Sequence, residues 1–169
     1  MPRVFGRLLK ILLWGAFVVA LLAAVGCGAG ESTDSGATTK AAKADDDPVK
    51  PAITVPESAP PTHLVKKDLI KGSGRESKPG LETTVQYVGV GYESGEQFDA
   101  SWDRGEPFTF KPGDREVIPG WDQGIVGMKV GGRRELIVPP NLAYGSAGTP
   151  PTIGPNETLI FVIDLVGVR

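Results

Sequence analysis

Glu116-Val117-Ile118-Pro119-Gly120-Trp121, followed further along by Ala143-Tyr144-Gly145, is the part of the sequence that decides the fold. These two segments supply an indole, a phenol and the backbone of a turn, and neither contains a serine, a cysteine or a histidine. Other aromatic residues and one carboxylate complete the pattern: Tyr87, Phe98, Asp99, Phe108 and Phe161. Together they predict an aromatic pocket holding a single acid. Such a pocket suits an uncharged ring, and a prolyl ring is the natural candidate in a polypeptide.

On both sides of these segments, short strand patterns alternate with turn signals from residue 63 onward. We predict strands at 64–70, 83–92, 97–100, 107–111, 133–138 and 158–168. In the second of these, Val85, Tyr87 and Gly89 share one face, whereas Val88 and Val90 lie on the other. The run 159–163 is apolar on both faces and should form a central strand. The only helical candidate is 121–128, which is too short to be stable without packing. Several strands and one short helix predict an antiparallel sheet wrapped over that helix, an α+β fold.

The order and spacing of these residues resemble the FKBP-type peptidyl-prolyl cis-trans isomerases, from about residue 65 to residue 168. The resemblance implies an antiparallel β half-barrel around one short α-helix and isomerisation of X–Pro bonds without a covalent step. It also implies that Trp121 forms the floor of the prolyl pocket. The walls would be Tyr87, Phe108, Val117, Ile118 and Phe161.

The resemblance further assigns polar roles. The Ile118 amide would donate to a substrate carbonyl, and the Tyr144 hydroxyl would bind the carbonyl of the twisting amide. Asp99, adjacent to Phe98, would polarise the amide region while Tyr87 and Arg104 hold it. Ile153 would cap the pocket, and Glu116 would contribute only its backbone.

The loop 148–156 departs from the family pattern. Many members carry histidine where this chain has Thr149, and Ile-Pro-Pro-Asn where it has Ile153-Gly154-Pro155-Asn156. Macrolides such as tacrolimus or rapamycin are expected ligands of the pocket, and these departures would alter their affinity.

The first 26 residues predict an export signal. Arg3, Arg7 and Lys10 precede an uncharged apolar run at 11–25, which is shorter than the approximately 20 residues of a membrane span. Cys27 follows Ala24-Val25-Gly26 and resembles the lipidated cysteine of a bacterial lipobox, although Ala24 stands where leucine is usual. The alternative is cleavage by ordinary signal peptidase and secretion of a soluble protein.

Residues 27–62 predict a flexible linker, so the isomerase domain would cover 63–169.

Composition excludes several other classes. The chain has 18 basic and 20 acidic residues and lacks a basic stripe, which argues against binding to nucleic acid. Its single cysteine and single histidine, Cys27 and His63, cannot form a disulfide, a zinc site or a catalytic dyad. We expect a monomer that uses no cofactor and acts on proline-containing polypeptides outside the cytoplasm. A proline-binding or chaperone module without turnover, and a purely structural lipoprotein, remain the alternatives.

Overall fold

The computed structural model describes residues 49–169. Within this range six strands form one antiparallel sheet: β1 Val65–Ile70, β2 Thr83–Gly91, β3 Gln97–Ala100, β4 Phe108–Phe110, β5 Arg133–Val138 and β6 Leu159–Val168. The helices are α1 Ser101–Arg104, α2 Pro119–Ile125 and a 3₁₀ turn, Pro140–Leu142. The predicted α+β fold is therefore confirmed. The helical turn α1 was not predicted, because four residues are too few to show a helical period.

The sheet order is β1-β5-β6-β2-β3, and β4 pairs with β2 beyond the end of β3. Strand β6 is central, as its two apolar faces predicted, and it lies between β5 and β2. Alternate residues of β6 enter different cores. Phe161 and Ile163 pack on the side of α2, whereas Ile160 packs on the opposite side with Val88 and Val90 of β2. The sheet therefore carries a hydrophobic cluster on each face.

Helix α2 lies close against β5 because two glycines face the strand. A Cβ at Gly120 would stand 2.4 Å from Val138 Cγ1, and one at Gly124 would stand 2.5 Å from Leu136 Cδ1. These glycines are one helical turn apart and occupy the same face of the helix. Their lack of side chains lets α2 approach the sheet and bury Trp121, which is 4% exposed.

The bounds of α2 differ from the predicted 121–128. Pro119 occupies the first turn, where the missing N–H leaves no internal hydrogen bond unmade. Gly127 adopts a left-handed backbone with φ 85°, which ends the helix before Met128.

The segment 49–62, here called the strap, is packed on the sheet, and this corrects the prediction of a flexible linker extending to residue 62. Ile53 and Val55 contact the cluster on the face away from α2. The Tyr92 hydroxyl donates to the Ser58 carbonyl at 3.2 Å, and Lys50 Nζ lies 2.5 Å from Asp103 Oδ1. The apolar residues alternate along the strap, but the prolines and polar residues between them made the segment resemble a linker in the sequence.

The predicted signal peptide, Cys27 and the linker as far as residue 48 lie outside the described residues. Between residues 49 and 169, no helix has the length and apolar character needed to cross a membrane.

Candidate active site

The predicted aromatic residues meet in one pocket of about 430 Å³ on the α2 side of the sheet. Trp121 is central: its ring lies edge-to-face with Tyr87 at a centroid distance of 4.9 Å and with Phe161 at 5.3 Å. Phe108 lies 6.2 Å from the same indole, and Phe98 packs edge-to-face on Phe161 at 5.5 Å. Strands β2, β3, β4 and β6 and helix α2 each contribute one ring, so the pocket forms only when the whole domain is folded.

A glycine allows two of these rings to meet. Gly89 of β2 lies opposite Phe161 of β6 in the sheet register. A Cβ at this position would stand 2.6 Å from Phe98 Cζ and 2.9 Å from Phe161 Cε1. The edge-to-face pair therefore occupies the space that a larger residue at position 89 would fill.

A polar triad of Tyr87, Asp99 and Arg104 adjoins the pocket, and Tyr87 and Asp99 line it. The Tyr87 hydroxyl donates to Asp99 Oδ2, and Arg104 Nη1 donates to Asp99 Oδ1. Arg104 Nη2 also donates to the Tyr87 hydroxyl at 2.9 Å, and the guanidinium lies 5.6 Å from the Tyr87 ring centroid. Both oxygens of the carboxylate are thus occupied by groups of the protein itself, and each member of the triad contacts the other two.

The titration of the two phenols follows from these surroundings. Burial and the hydrogen bond to Asp99 raise the pKa of Tyr87 to about 12. Burial, and then the negative charge of Asp99, raise the pKa of Tyr144 above its usual value. The hydrogen bonds to Tyr87 and Asp99 raise the pKa of Arg104. Both phenols are therefore neutral and Arg104 is charged throughout the physiological pH range.

Ser101, at the start of α1, is a supporting residue that the sequence reasoning missed. Its side chain is fully buried, and its hydroxyl accepts from the Tyr87 backbone N–H at 2.8 Å while donating to Gln86 Oε1. This contact joins α1, which carries Arg104, to the strand that carries Tyr87. Only the sheet register brings Ser101 and Tyr87 together, so no local sequence pattern could have identified it.

Several hydrogen-bonding groups at the pocket have no partner within residues 49–169, among them the buried Trp121 Nε1 and two further donors. The backbone N–H of Ile118, directly before α2, makes no internal hydrogen bond. The Tyr144 hydroxyl is likewise unbonded, and its side chain is 42% exposed at the pocket mouth. Both are donors, and both are available to a carbonyl group of a ligand.

The loop between β4 and α2 forms the remaining rim. Arg115, Glu116, Val117 and Ile118 all line the pocket. The Glu116 carboxylate accepts from the Lys111 backbone N–H at 3.0 Å and so closes the loop on itself. Arg115 was not among the predicted site residues, although its position directly before the predicted site residue Glu116 could have indicated it.

Ile153 was expected to cap the pocket, but it is not part of the lining. Its side chain is 5% exposed and belongs to the core cluster on the α2 side of the sheet. The reason lies in the backbone, where Ile153 and Thr149 exchange hydrogen bonds of 2.8 and 3.0 Å. This turn directs Ile153 inward and leaves Tyr144 at the mouth of the pocket.

The arrangement can enclose an apolar ring and donate hydrogen bonds to the carbonyls beside it. Within residues 49–169, no three His, Cys, Asp or Glu side chains lie close enough together to hold a metal ion.

Comparison with known proteins agrees with this geometry. The pattern of the family described as FKBP-type peptidyl-prolyl cis-trans isomerase matches residues 73–166. An FK506-binding protein of Streptomyces anulatus is 53% identical over 120 residues, which cover 70% of this chain and 97% of that protein. A probable FK506-binding protein of Corynebacterium glutamicum is 49% identical over 117 residues, or 69% of this chain and 97% of its own length. The crystal structure of FkpA from Escherichia coli is similar with a TM-score of 0.58 and 41% identity, covering 64% of this chain and 49% of that one.

Proposed function

The chain belongs to the FKBP-type peptidyl-prolyl cis-trans isomerase family, and we propose that its pocket isomerises X–Pro bonds by binding the twisted amide without a covalent step. The observation that carries the proposal is the aromatic enclosure around Trp121, flanked by two unbonded donors. The X–Pro bond resists rotation with a barrier of about 18–20 kcal/mol, because conjugation gives its C–N bond double-bond character. Any group that stabilises the unconjugated, twisted amide more than the planar one lowers this barrier.

Each part of the pocket has a role in this proposal. Trp121 supports the prolyl ring, and Tyr87, Phe98, Phe108 and Phe161 exclude water around it. Removing water favours the twisted amide, since that state has lost the dipolar resonance which water stabilises in the planar form.

The hydrogen-bond donors fix the peptide on either side of the ring. The Ile118 N–H holds one substrate carbonyl and the Tyr144 hydroxyl holds another. The Asp99 carboxylate, fixed by Tyr87 and Arg104, polarises the amide region beside the prolyl ring. All these groups are in place before substrate arrives, so little reorganisation accompanies the reaction.

The test is a peptidyl-prolyl assay coupled to a protease that cleaves only the trans peptide. We expect catalysis by the domain and a large loss of kcat/KM in Trp121→Ala, provided that circular dichroism shows a folded variant. Binding of the peptide without faster isomerisation would instead identify a proline-binding or chaperone module.

The substrates are proposed to be exported proteins, with the enzyme held at the outer face of the membrane by lipid on Cys27. Three positive charges, the apolar run at 11–25 and the Gly26-Cys27 junction support this. Two or three acyl chains would give a stable anchor where one would not. Cys27→Ala should move the protein from the membrane fraction to the medium. If ordinary signal peptidase cleaves the chain instead, the wild type and Cys27→Ala should both be soluble and should fractionate alike.

Macrolides that bind FKBP pockets, such as tacrolimus and rapamycin, are proposed inhibitors, and the names of the relatives as FK506-binding proteins support this. Inhibition competitive with the peptide is the expected result. Cyclosporin, which suits a different isomerase fold, should have no effect.

A further inference from the structure

Arg115 is the charged residue of the pocket lining that has no partner within residues 49–169. The lining contains three charged residues, Asp99, Arg115 and Glu116. Asp99 is held by Arg104, and Glu116 accepts from the Lys111 backbone. Within residues 49–169, Arg115 makes neither an ion pair nor a side-chain hydrogen bond. Its guanidinium, with five donors and a permanent charge, is therefore available to a ligand at the rim.

The backbone at Arg115 is unfavourable for such a residue. Its φ is 60°, in the left-handed region that glycine and asparagine tolerate and that arginine adopts at an energetic cost. Two hydrogen bonds fix the loop directly before Arg115: the Gly113 N–H donates to Asp122 Oδ1 at 2.9 Å, and the Asp114 N–H donates to the Lys111 carbonyl at 3.2 Å. In the described part of the chain, no ion pair or side-chain hydrogen bond of Arg115 compensates for placing a long cation here. A residue kept under strain at a binding site points to a role in binding.

We infer that Arg115 selects substrates with a carboxylate next to the proline. The proposal rests on the isomerase function proposed above and adds to it the class of preferred substrate. With the prolyl ring against Trp121, the residues before and after proline must leave the pocket across its rim, where Arg115 lies. An Asp or Glu in one of these positions gains a charge-assisted hydrogen bond to the guanidinium, whereas a Lys is repelled. Because the rim is exposed, the gain is that of a surface ion pair, roughly twofold to fivefold in kcat/KM.

The test compares two peptide series in which only one residue changes, directly before proline in one series and directly after it in the other. Glu, Gln and Lys are placed at that position, since Glu and Gln have nearly the same size and differ in charge. Isomerisation is measured by exchange NMR, because this method does not require a particular residue before or after proline. The enzyme is compared with Arg115→Gln, Arg115→Glu and Arg115→Lys. Lys111→Gln is the matched control, because it removes a positive charge from the same loop at a residue outside the lining.

We expect the wild type to prefer Glu over Gln by roughly twofold to fivefold in at least one series, with Lys last, and the preference should shrink as ionic strength rises. It should disappear in Arg115→Gln, reverse in Arg115→Glu and persist in Arg115→Lys and Lys111→Gln. Equal turnover of Glu and Gln peptides by the wild type in both series would overturn the inference while leaving the isomerase function intact. Persistence of the preference in Arg115→Gln would also overturn it. Failure to turn over any peptide would refute the proposed function itself, and with it this inference.

Discussion

Gly89→Ala should damage the prolyl pocket without replacing any side chain that contacts substrate. The added methyl carbon would stand 2.6 Å from Phe98 Cζ and 2.9 Å from Phe161 Cε1, whereas carbon atoms in contact lie about 3.5–4.0 Å apart. One ring must therefore move by roughly 1 Å. Phe161 is enclosed by the core at 3% exposure, but Phe98 is only half-buried at the pocket wall. Phe98 should be the ring that moves, and the pocket changes shape where the prolyl ring would bind.

The change in the free energy of unfolding can be estimated from these distances. Overpacking of this kind destabilises by about 1–3 kcal/mol. Replacement of glycine by alanine stabilises by about 0.4–1 kcal/mol, because it restricts the unfolded chain. The variant should therefore fold, with a net loss of about 1–2 kcal/mol. A shift of roughly 1 Å in a positioning group can lower the rate by up to about 100-fold, so we expect kcat/KM to fall by about 10- to 100-fold.

Gly167→Ala is the matched control. Gly167 also lies in the sheet, on β6, but a Cβ there would meet only Thr84 Cβ at 3.6 Å, an ordinary contact. This variant should keep its stability and turn over peptide within about twofold of the wild type. Urea unfolding and the peptidyl-prolyl assay give both quantities. If Gly89→Ala folds and keeps the kcat/KM of Gly167→Ala, then Phe98 does not shape the prolyl site.

Four further predictions concern the polar groups and the strap. The folded state raises the pKa of Tyr87 from 10 to about 12. This phenol therefore contributes to the free energy of unfolding below pH 10, and the contribution is lost as pH rises from 10 to 12. Urea unfolding across that pH range measures the loss. Tyr144→Phe should lower kcat/KM by roughly twofold to tenfold, the value of one neutral hydrogen bond. Asp99→Ala should lower it further, because it leaves a guanidinium without its carboxylate. Ile53→Ala combined with Val55→Ala should destabilise the domain by about 1–3 kcal/mol, since both side chains are only partly buried, with kcat/KM within about twofold.

Each of these has a control or a contradicting result. Tyr87→Phe should reduce the alkaline loss between pH 10 and 12, to which Tyr144 contributes with the same sign because its pKa is also raised. An unchanged loss in this variant would assign it to groups other than Tyr87. A thousandfold loss in Tyr144→Phe would indicate proton transfer by the phenol instead of a hydrogen bond. Val49→Ala, at a strap residue 75% exposed, is the control for the packed strap residues. Equal stability of Val49→Ala and the double variant would show that the strap does not contribute to the fold.

The sequence predicted the parts of the structure that depend on local patterns. The alternation of Val85, Tyr87 and Gly89 against Val88 and Val90 predicted the two faces of β2, and these faces enter separate cores. The two apolar faces of β6 predicted its central position. Both inferences depend only on the twofold period of a strand, which is a property of neighbouring residues.

The features that the sequence did not reveal arise from contacts between distant segments. Ser101 supports Tyr87 because β3 pairs with β2 and places α1 beside it. The strap packs on the domain because Ile53 and Val55 contact an apolar face of the sheet. Ile153 was placed at the pocket by resemblance, whereas a two-residue backbone exchange with Thr149 directs it into the core. In each case the decisive partner lies far away or depends on backbone geometry that composition does not determine.

The division of polar groups at the pocket explains why an isomerase needs no proton transfer. Asp99, Tyr87 and Arg104 bond to one another on the rigid sheet and α1, so their charges are fixed before a substrate binds. The Ile118 N–H and the Tyr144 hydroxyl are unbonded within the described chain and neutral, which suits them to substrate carbonyls. Rotation about a C–N bond breaks no σ bond and moves no proton, so fixed dipoles around an apolar enclosure are sufficient to favour the twisted state. Selectivity for charged substrates would then come from groups outside this fixed set, as inferred for Arg115 in the lining.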